Sequence, residues 1–322
     1  MKYKIIVFGG IALVIVIGIL SFVFGGRGTG NEISGTVNVW SFEPLAHWTN
    51  VIGAFETENP KVTIIYQQKS LDTYEAGLVN ALASDQGPDV FFIHHTWLQK
   101  HGNKVFPFPE EVITIEKFKT DFVGVAVVDL VRANRVYALP LYVDTLALYY
   151  NKDVFNSERI LDPPKTWEQF NEIVEKITRL DQFGDVIRSA AAIGGAGNVN
   201  YASDILTALM LQSGTQMVNL TTGKVAFDKQ VSVDGVSLKP GQTALEFYTS
   251  FADPTKKVYT WNRRLPNSLE AFKRGQTAMY IGYAKDISKI KASAINFAIA
   301  TLPQVQDSTV NTSYVDLNYA NY

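Results

Sequence analysis

Arg135-Val136-Tyr137-Ala138-Leu139-Pro140-Leu141-Tyr142-Val143-Asp144-Thr145-Leu146-Ala147-Leu148-Tyr149-Tyr150 is the stretch on which the fold turns. Tyr137-Ala138-Leu139-Pro140 and then Leu146 to Tyr150 are strand-like, so the segment reads as a crossover between two lobes. The chain has 322 residues, and about 150 per domain allows two globular units, each with its own core.

Upstream of the crossover, Val37 and Val39 flank Asn38 in a short strand that ends at Trp40-Ser41. Trp48, Ile52 and Phe55 recur at helical steps within Leu45 to Glu58, and Asn59-Pro60 ends that helix. Val62 to Tyr66 is a β-branched run, and Tyr74, Leu78, Ala81 and Leu82 form the next helical stripe. Gly87-Pro88 breaks it, and Val90 to Ile93 is a continuous apolar run of the kind buried in parallel sheets. Alternating strands and helices predict a doubly wound α/β lobe, in which ligands sit beyond the carboxyl ends of the strands. Ser41-Phe42-Glu43 and His94-His95-Thr96 are the corresponding loops.

Downstream, Asp162-Pro163-Pro164 forces extended backbone, and Thr166-Trp167-Glu168-Gln169 matches a capping box. Phe170, Ile173, Val174 and Ile177 then share one helix face. Further helices are predicted at Asp204 to Leu211, Ala244 to Phe251 and Leu269 to Arg274, the last closed by Gly275. Thr277 to Ile281 and Phe297 to Leu302 read as strands, the second as the last of the chain.

At the N-terminus, Lys2 and Lys4 precede an uncharged apolar run from Ile5 to Phe24, long enough at 1.5 Å per residue to cross about 30 Å of hydrocarbon. It ends in Phe24-Gly25-Gly26-Arg27 without an A-x-A-like site. An uncleaved transmembrane signal anchor is therefore expected over residues 1–27, with the rest of the chain outside the cell membrane; a cleaved signal and secretion is the alternative. Residues 28–35 read as a flexible linker.

Composition excludes several classes. With no cysteine the chain has no disulfide, thiolate metal site or thiol nucleophile. A net charge of -2 without a dense basic run gives no electrostatic footprint for nucleic acid. Aromatic residues reach 12% while charged residues reach only 19%, leaving rings available to line a site.

Four blocks, in order along the chain, resemble the extracellular solute-binding proteins of the sugar type, the group that includes maltose-binding protein. They are Gly87-Pro88-Asp89-Val90-Phe91; the crossover continued through Asn151-Lys152-Asp153-Val154-Phe155; Pro163-Pro164-Lys165-Thr166-Trp167-Glu168-Gln169-Phe170; and Ala271-Phe272-Lys273-Arg274-Gly275-Gln276-Thr277-Ala278-Met279. The resemblance implies a two-lobe fold of the type II periplasmic-binding-protein kind, each lobe a doubly wound sheet flanked by helices, with a ligand cleft between lobes joined by a hinge. The lobes are expected at 36–143 and 144–313, with 314–322 starting a return to the first. Members of the family usually continue further, so the chain is expected to be truncated there. They also carry a lipid-modified cysteine, for which the membrane anchor would substitute.

The same resemblance implies the partners: a mono- or oligosaccharide, and the permease subunits of an ABC importer to which a monomeric binding protein delivers it. It implies neither cofactor nor metal, and no catalysis. A neutral sugar offers hydroxyls and a weakly apolar face, so its pocket needs aromatic platforms and short polar side chains. Carried over residue by residue, the expected ligand contacts are Glu43, His94, His95, Tyr142, Asp144, Asn198, Tyr201, Trp261, Asn262 and Tyr283. Trp261 has core burial as its alternative, Glu43 a solvated loop or first-turn helix charge, and Asp144, read as a ligand or hinge residue, a structural turn. Trp40, Trp48 and Trp167 read as structural.

His94 and His95 are adjacent, and on a strand they would point to opposite faces, which argues against joint metal ligation. Gly194-Gly195-Ala196-Gly197 lacks the Lys-Ser/Thr of a phosphate loop and reads as a turn. Two other functional classes remain open on sequence alone: a sensing ectodomain of a signalling system, and a secreted glycosidase, which would need a carboxylate pair at a defined separation.

Overall fold

The computed structural model describes residues 34–305 except 220 and 234, together with the backbone of Val315–Asn321. The expected anchor over residues 1–27 lies outside them, and among the described residues no helix is long and apolar enough to cross a membrane. The chain divides into two compact units: one ends at Val143 and takes the chain back at Asp316, and the other is Asp144–Val315.

In the first unit, β1 (Gly35–Ser41) pairs in parallel with β2 (Val62–Gln68) over its full length and with β3 (Val90–His94) through Val39↔Val90 and Trp40↔Phe91. Val37, Val62 and Val90 pack with Phe55 of α1 (Thr49–Glu58), the alternation putting these side chains on one face. The helix expected from Leu45 to Glu58 is broken. Leu45–His47 forms a 3-10 turn and Thr49 donates its hydroxyl to the Leu45 carbonyl, so the α-helix starts only after Trp48. α2 (Leu71–Ala83) buries Tyr74 and Leu78. Tyr74 donates its hydroxyl to the Trp40 carbonyl at 3.0 Å and accepts from the Phe92 N–H at 3.1 Å, tying helix to sheet.

Three short helices that the periodicity does not announce follow β3: α3 (Trp97–His101), α4 (Ile115–Asp121) and α5 (Gly124–Leu130). β4 (Val131–Arg132) and β5 (Arg135–Val136) then form a hairpin whose two-residue loop, Ala133-Asn134, has positive φ at both positions. That is the turn whose twist suits a tight hairpin, and Ala is an unusual residue to supply it. β6 (Leu139–Asn151) carries the chain through the boundary at Val143 and Asp144.

The second unit contains α6 (Lys152–Ser157), α7 (Trp167–Ile177), β7 (Arg179–Leu180), β8 (Val186–Ala191), α8 (Ala202–Gln212), the hairpin β9 (Val231–Val233) and β10 (Val236–Leu238), α9 (Pro240–Ser250), α10 (Ser268–Lys273), β11 (Thr277–Tyr283), α11 (Ile287–Lys291) and β12 (Phe297–Thr301). Its sheet runs β12-β6-β11-β8-β7. Only β8 and β11 are parallel, while β12 and β11 both run antiparallel to β6. Parallel pairing therefore runs through β1 to β3, whereas in this unit β6 enters antiparallel to its neighbours.

The core gathers Leu146, Leu148, Phe170, Val174, Ile177, Phe251 and Met279, each worth about 1.5–3 kcal/mol when fully buried. The cap of α7 forms with one change of partner. Thr166 Oγ1 accepts from the Gln169 N–H, but Gln169 Oε1 reaches the Lys165 N–H instead of that of Thr166. On either side of Thr166, the Trp167 N–H donates to the Gln304 carbonyl and the Gln304 N–H donates to the Lys165 carbonyl. Phe297–Thr301 is not the last strand: β13 (Val315–Asn321) pairs antiparallel with β3, from Asn318↔His94 to Asn321↔Phe91. Its alternation of Val, Leu and Tyr with Asp and Asn is strand-like and was hidden by its position at the chain end.

Candidate functional site

In the first unit the polar side chains converge on the loop after β1. The Glu43 backbone is fixed at both ends, its N–H donating to Ser41 Oγ at 2.9 Å and its carbonyl accepting from Tyr66 OH at 2.8 Å. Its carboxylate then has a set direction. Oε1 accepts from Tyr142 OH at 3.2 Å, and Oε2 lies 3.3 Å from Nδ1 of His47. Glu43 and Tyr142 are thus brought together across 99 residues of chain, with Tyr142 40% exposed. His47 escaped the sequence reading, although its spacing of four from Glu43 is that of facing side chains on a helical turn. Beneath the loop lies an aromatic layer: Trp48 stacks on Tyr66 and meets Phe92 edge-on, and Phe42 meets Tyr74 and Phe92 edge-on.

His94 and His95 do not diverge. β3 ends at His94 and His95 begins the turn, so the strand rule no longer governs them and their ring centroids are 4.2 Å apart. His94 Nδ1 accepts from the Thr96 N–H and lies 2.8 Å from the Thr96 hydroxyl. Asp129 of α5 sits in their field. Burial pushes its carboxyl up, while His95, His94 and Arg132 pull it part of the way back.

In the second unit the structure sorts the expected residues into two groups. Trp261 is fully buried, 0% exposed, and its indole Nε1 donates to Asn198 Oδ1 at 3.0 Å. Asn198 Nδ2 in turn donates to the carbonyls of Asn262 and Leu265, and Asn262 Nδ2 donates to Tyr259 OH. The three residues form one internal knot that fastens the Gly-rich turn. At its start, a Cβ on Gly194, whose φ is +96°, would come within 2.8 Å of the Ala252 nitrogen. The expected Trp261 stacking platform is therefore corrected to core, because its ring has no free face.

Tyr201 and Tyr283 form the other group. Their rings meet edge to face at 4.8 Å, with Tyr283 buried at 2% exposure beside the core. Tyr201 is partly exposed and directly precedes α8; its φ of 57° and ψ of 29° place a bulky side chain in the left-handed region, at a cost of about 1–2 kcal/mol. Tyr283 donates to Asp204 Oδ2 at 3.0 Å, and Lys285 Nζ stands 4.8 Å from the Tyr283 ring and 5.4 Å from that of Tyr201. Asp204 and Lys285 were absent from the sequence list, and the contact of Asp204 with Tyr283, across 79 residues of chain, leaves no local signal. Tyr280 is pushed well above the usual tyrosine range, first by burial and then by the carboxylate of Asp286, to which it donates at 2.7 Å.

Asp144 is buried. Its carboxylate accepts the N–H groups of Thr145, Ala284 and Lys285.

The described residues thus form two α/β units, with aromatic and carboxylate clusters at strand ends in each. Residues 50–319 match the family model described as bacterial extracellular solute-binding protein, and the chain belongs to that family. It is 24% identical over 279 residues to a binding protein of Brucella abortus, covering 84% of this chain and 63% of that one, so the chain spans less than two thirds of that relative's length. The maltotriose-binding protein of Pyrococcus abyssi is 24% identical over 275 residues, covering 84% of this chain and 54% of that protein. Among solved structures, the GacH receptor of Streptomyces glaucescens, determined unliganded and with acarbose, superposes with a TM-score of 0.67 at 21% identity, over 90% of this chain and 71% of that one.

Proposed function

We propose that this protein binds a carbohydrate outside the cytoplasm and hands it to an ABC-type import permease, performing no covalent chemistry. The observation that carries the reading is the conformation of Tyr201. A tyrosine held in the left-handed region costs stability that glycine would not, and what it gains is a ring fixed edge to face against Tyr283, next to the hydrogen-bonding group Asp204. Tyr283 is 2% exposed and braces the pair from within the core, so the half-buried Tyr201 is the ring that suits the C–H face of a pyranose. Glu43, Tyr142 and His47 give the first unit an acceptor and donors for sugar hydroxyls. The maltotriose-binding and acarbose-binding relatives agree with a saccharide as the solute.

The test is isothermal titration of the protein with neutral oligosaccharides, maltotriose among them, and with amino acids and short peptides as controls. Saccharide binding is expected, weakened about tenfold in Glu43→Gln, since one charge-assisted hydrogen bond is worth about 1.5 kcal/mol or more. Binding of peptides alone, or of nothing, overturns the assignment.

A further inference from the structure

Asp144 is the first residue of the second unit and is only 5% exposed. Oδ1 accepts from the Thr145 N–H at 2.8 Å and the Ala284 N–H at 2.7 Å, and Oδ2 accepts from the Lys285 N–H at 3.0 Å. A carboxylate buried this deeply has to be compensated, and here backbone donors compensate both oxygens. Two of the donors open the 3-10 turn Ala284–Asp286 that follows β11.

That turn carries what holds the ring pair. Asp286, fully buried, accepts from Tyr280 OH at 2.7 Å and lies 3.5 Å from Tyr201 OH, while Lys285 stands over both rings. The carbonyl of Tyr283, immediately before the turn, accepts from Tyr149 OH at 2.7 Å. β6 thus grips the turn twice, through Asp144 and through Tyr149.

We infer that Asp144 is a positioning residue: it locks the 284–286 turn so that Lys285 and Asp286 hold Tyr201 against Tyr283, and it does not itself touch the solute. This replaces the direct ligand contact expected for Asp144 from sequence, and it rests on the saccharide reading of the ring pair.

The experiment compares wild type, Asp144→Ala and Asp144→Asn, each with Tyr201 intact and with Tyr201→Ala. Titration uses the saccharide that wild type binds best and its monodeoxy analogues; NMR follows the Tyr201 ring protons and hydrogen exchange at the Ala284 and Lys285 amides. Positioning predicts that Asp144→Ala weakens the parent sugar and every analogue by the same factor, on the order of tenfold. The loss should vanish in the Tyr201→Ala background, and both amides should exchange faster. Asp144→Asn, which keeps one acceptor oxygen, should fall between and remains informative if the alanine variant does not fold.

A loss that disappears for one deoxy analogue alone identifies Asp144 as a direct contact and overturns the inference, as does unchanged affinity in both variants. If wild type binds no saccharide, the functional reading fails, and the NMR arm still decides the inference: unchanged Tyr201 shifts and amide exchange in Asp144→Ala would refute it.

Discussion

Tyr201 shows how a single residue separates stability from function. With its φ at 57°, glycine would be the relaxed choice, whereas any L side chain there meets its own backbone. Tyr201→Gly should therefore be more stable than Tyr201→Ala by about 1 kcal/mol in chemical denaturation, although both lose the contact with Tyr283. Equal stability of the two variants, or a more stable alanine, would show that the left-handed conformation is not strained. Little of this was legible in the sequence. Tyr201 and Tyr283 stand in the list of expected residues through resemblance to a family, while the positive φ carries no local mark, since neither Gly nor Asn occupies the position. Trp261 illustrates the reverse error. A tryptophan in a polar loop suggests a platform, but Asn198 absorbs its N–H and the ring completes a core. A sequence does not disclose which partner a buried indole finds.

At the scale of elements, long periodic segments were legible, and among the short helices α10 was read from the Gly275 that closes it while most others were not. β1 to β3, α2 and α7 follow from alternation, one-face stripes and a capping residue, each a strong local signal. The helices α3, α4, α5, α6 and α11 span only five to seven residues each, too few for a period of 3.6 to repeat. β8 was missed for a different reason: Val186–Ala191 runs from an edge contact with β7 into a buried stretch beside β11, so its face pattern changes along its length. Asp129 of α5, which interacts electrostatically with His94 and His95, yields a pH-dependent prediction. The Asp129 carboxyl is pushed up by burial, more than the nearby His95, His94 and Arg132 bring it down. The folded protein thus holds that proton to higher pH than the unfolded chain does, and stability attributable to Asp129 falls as pH rises through this range. Asp129→Asn should raise the thermal midpoint at pH 7, and the gain should disappear near pH 3, where the carboxyl is protonated in both states. A gain independent of pH would mean that the substitution acts by packing instead.

For the whole molecule, the division into two units rests on one strand that leaves the first unit at Val143 and one segment that returns at Asp316. The crossover was legible because Leu139–Asn151 is a long run of strand-forming residues between two α/β patterns. The topology of the second sheet was not, because parallel and antiparallel neighbours present the same apolar run, and only pairing through distant residues such as Gly282↔Ala147 decides between them. The family places the chain among solute-binding proteins, and the saccharide proposed as its solute is the claim to test. Differential scanning calorimetry with maltotriose, other neutral oligosaccharides and peptides, each tested up to a large excess, tests that point most directly. A saccharide at a hundred times its dissociation constant should add about 2.7 kcal/mol to unfolding, raising the midpoint by several degrees, and peptides should leave it unchanged. A midpoint indifferent to every saccharide would contradict the account.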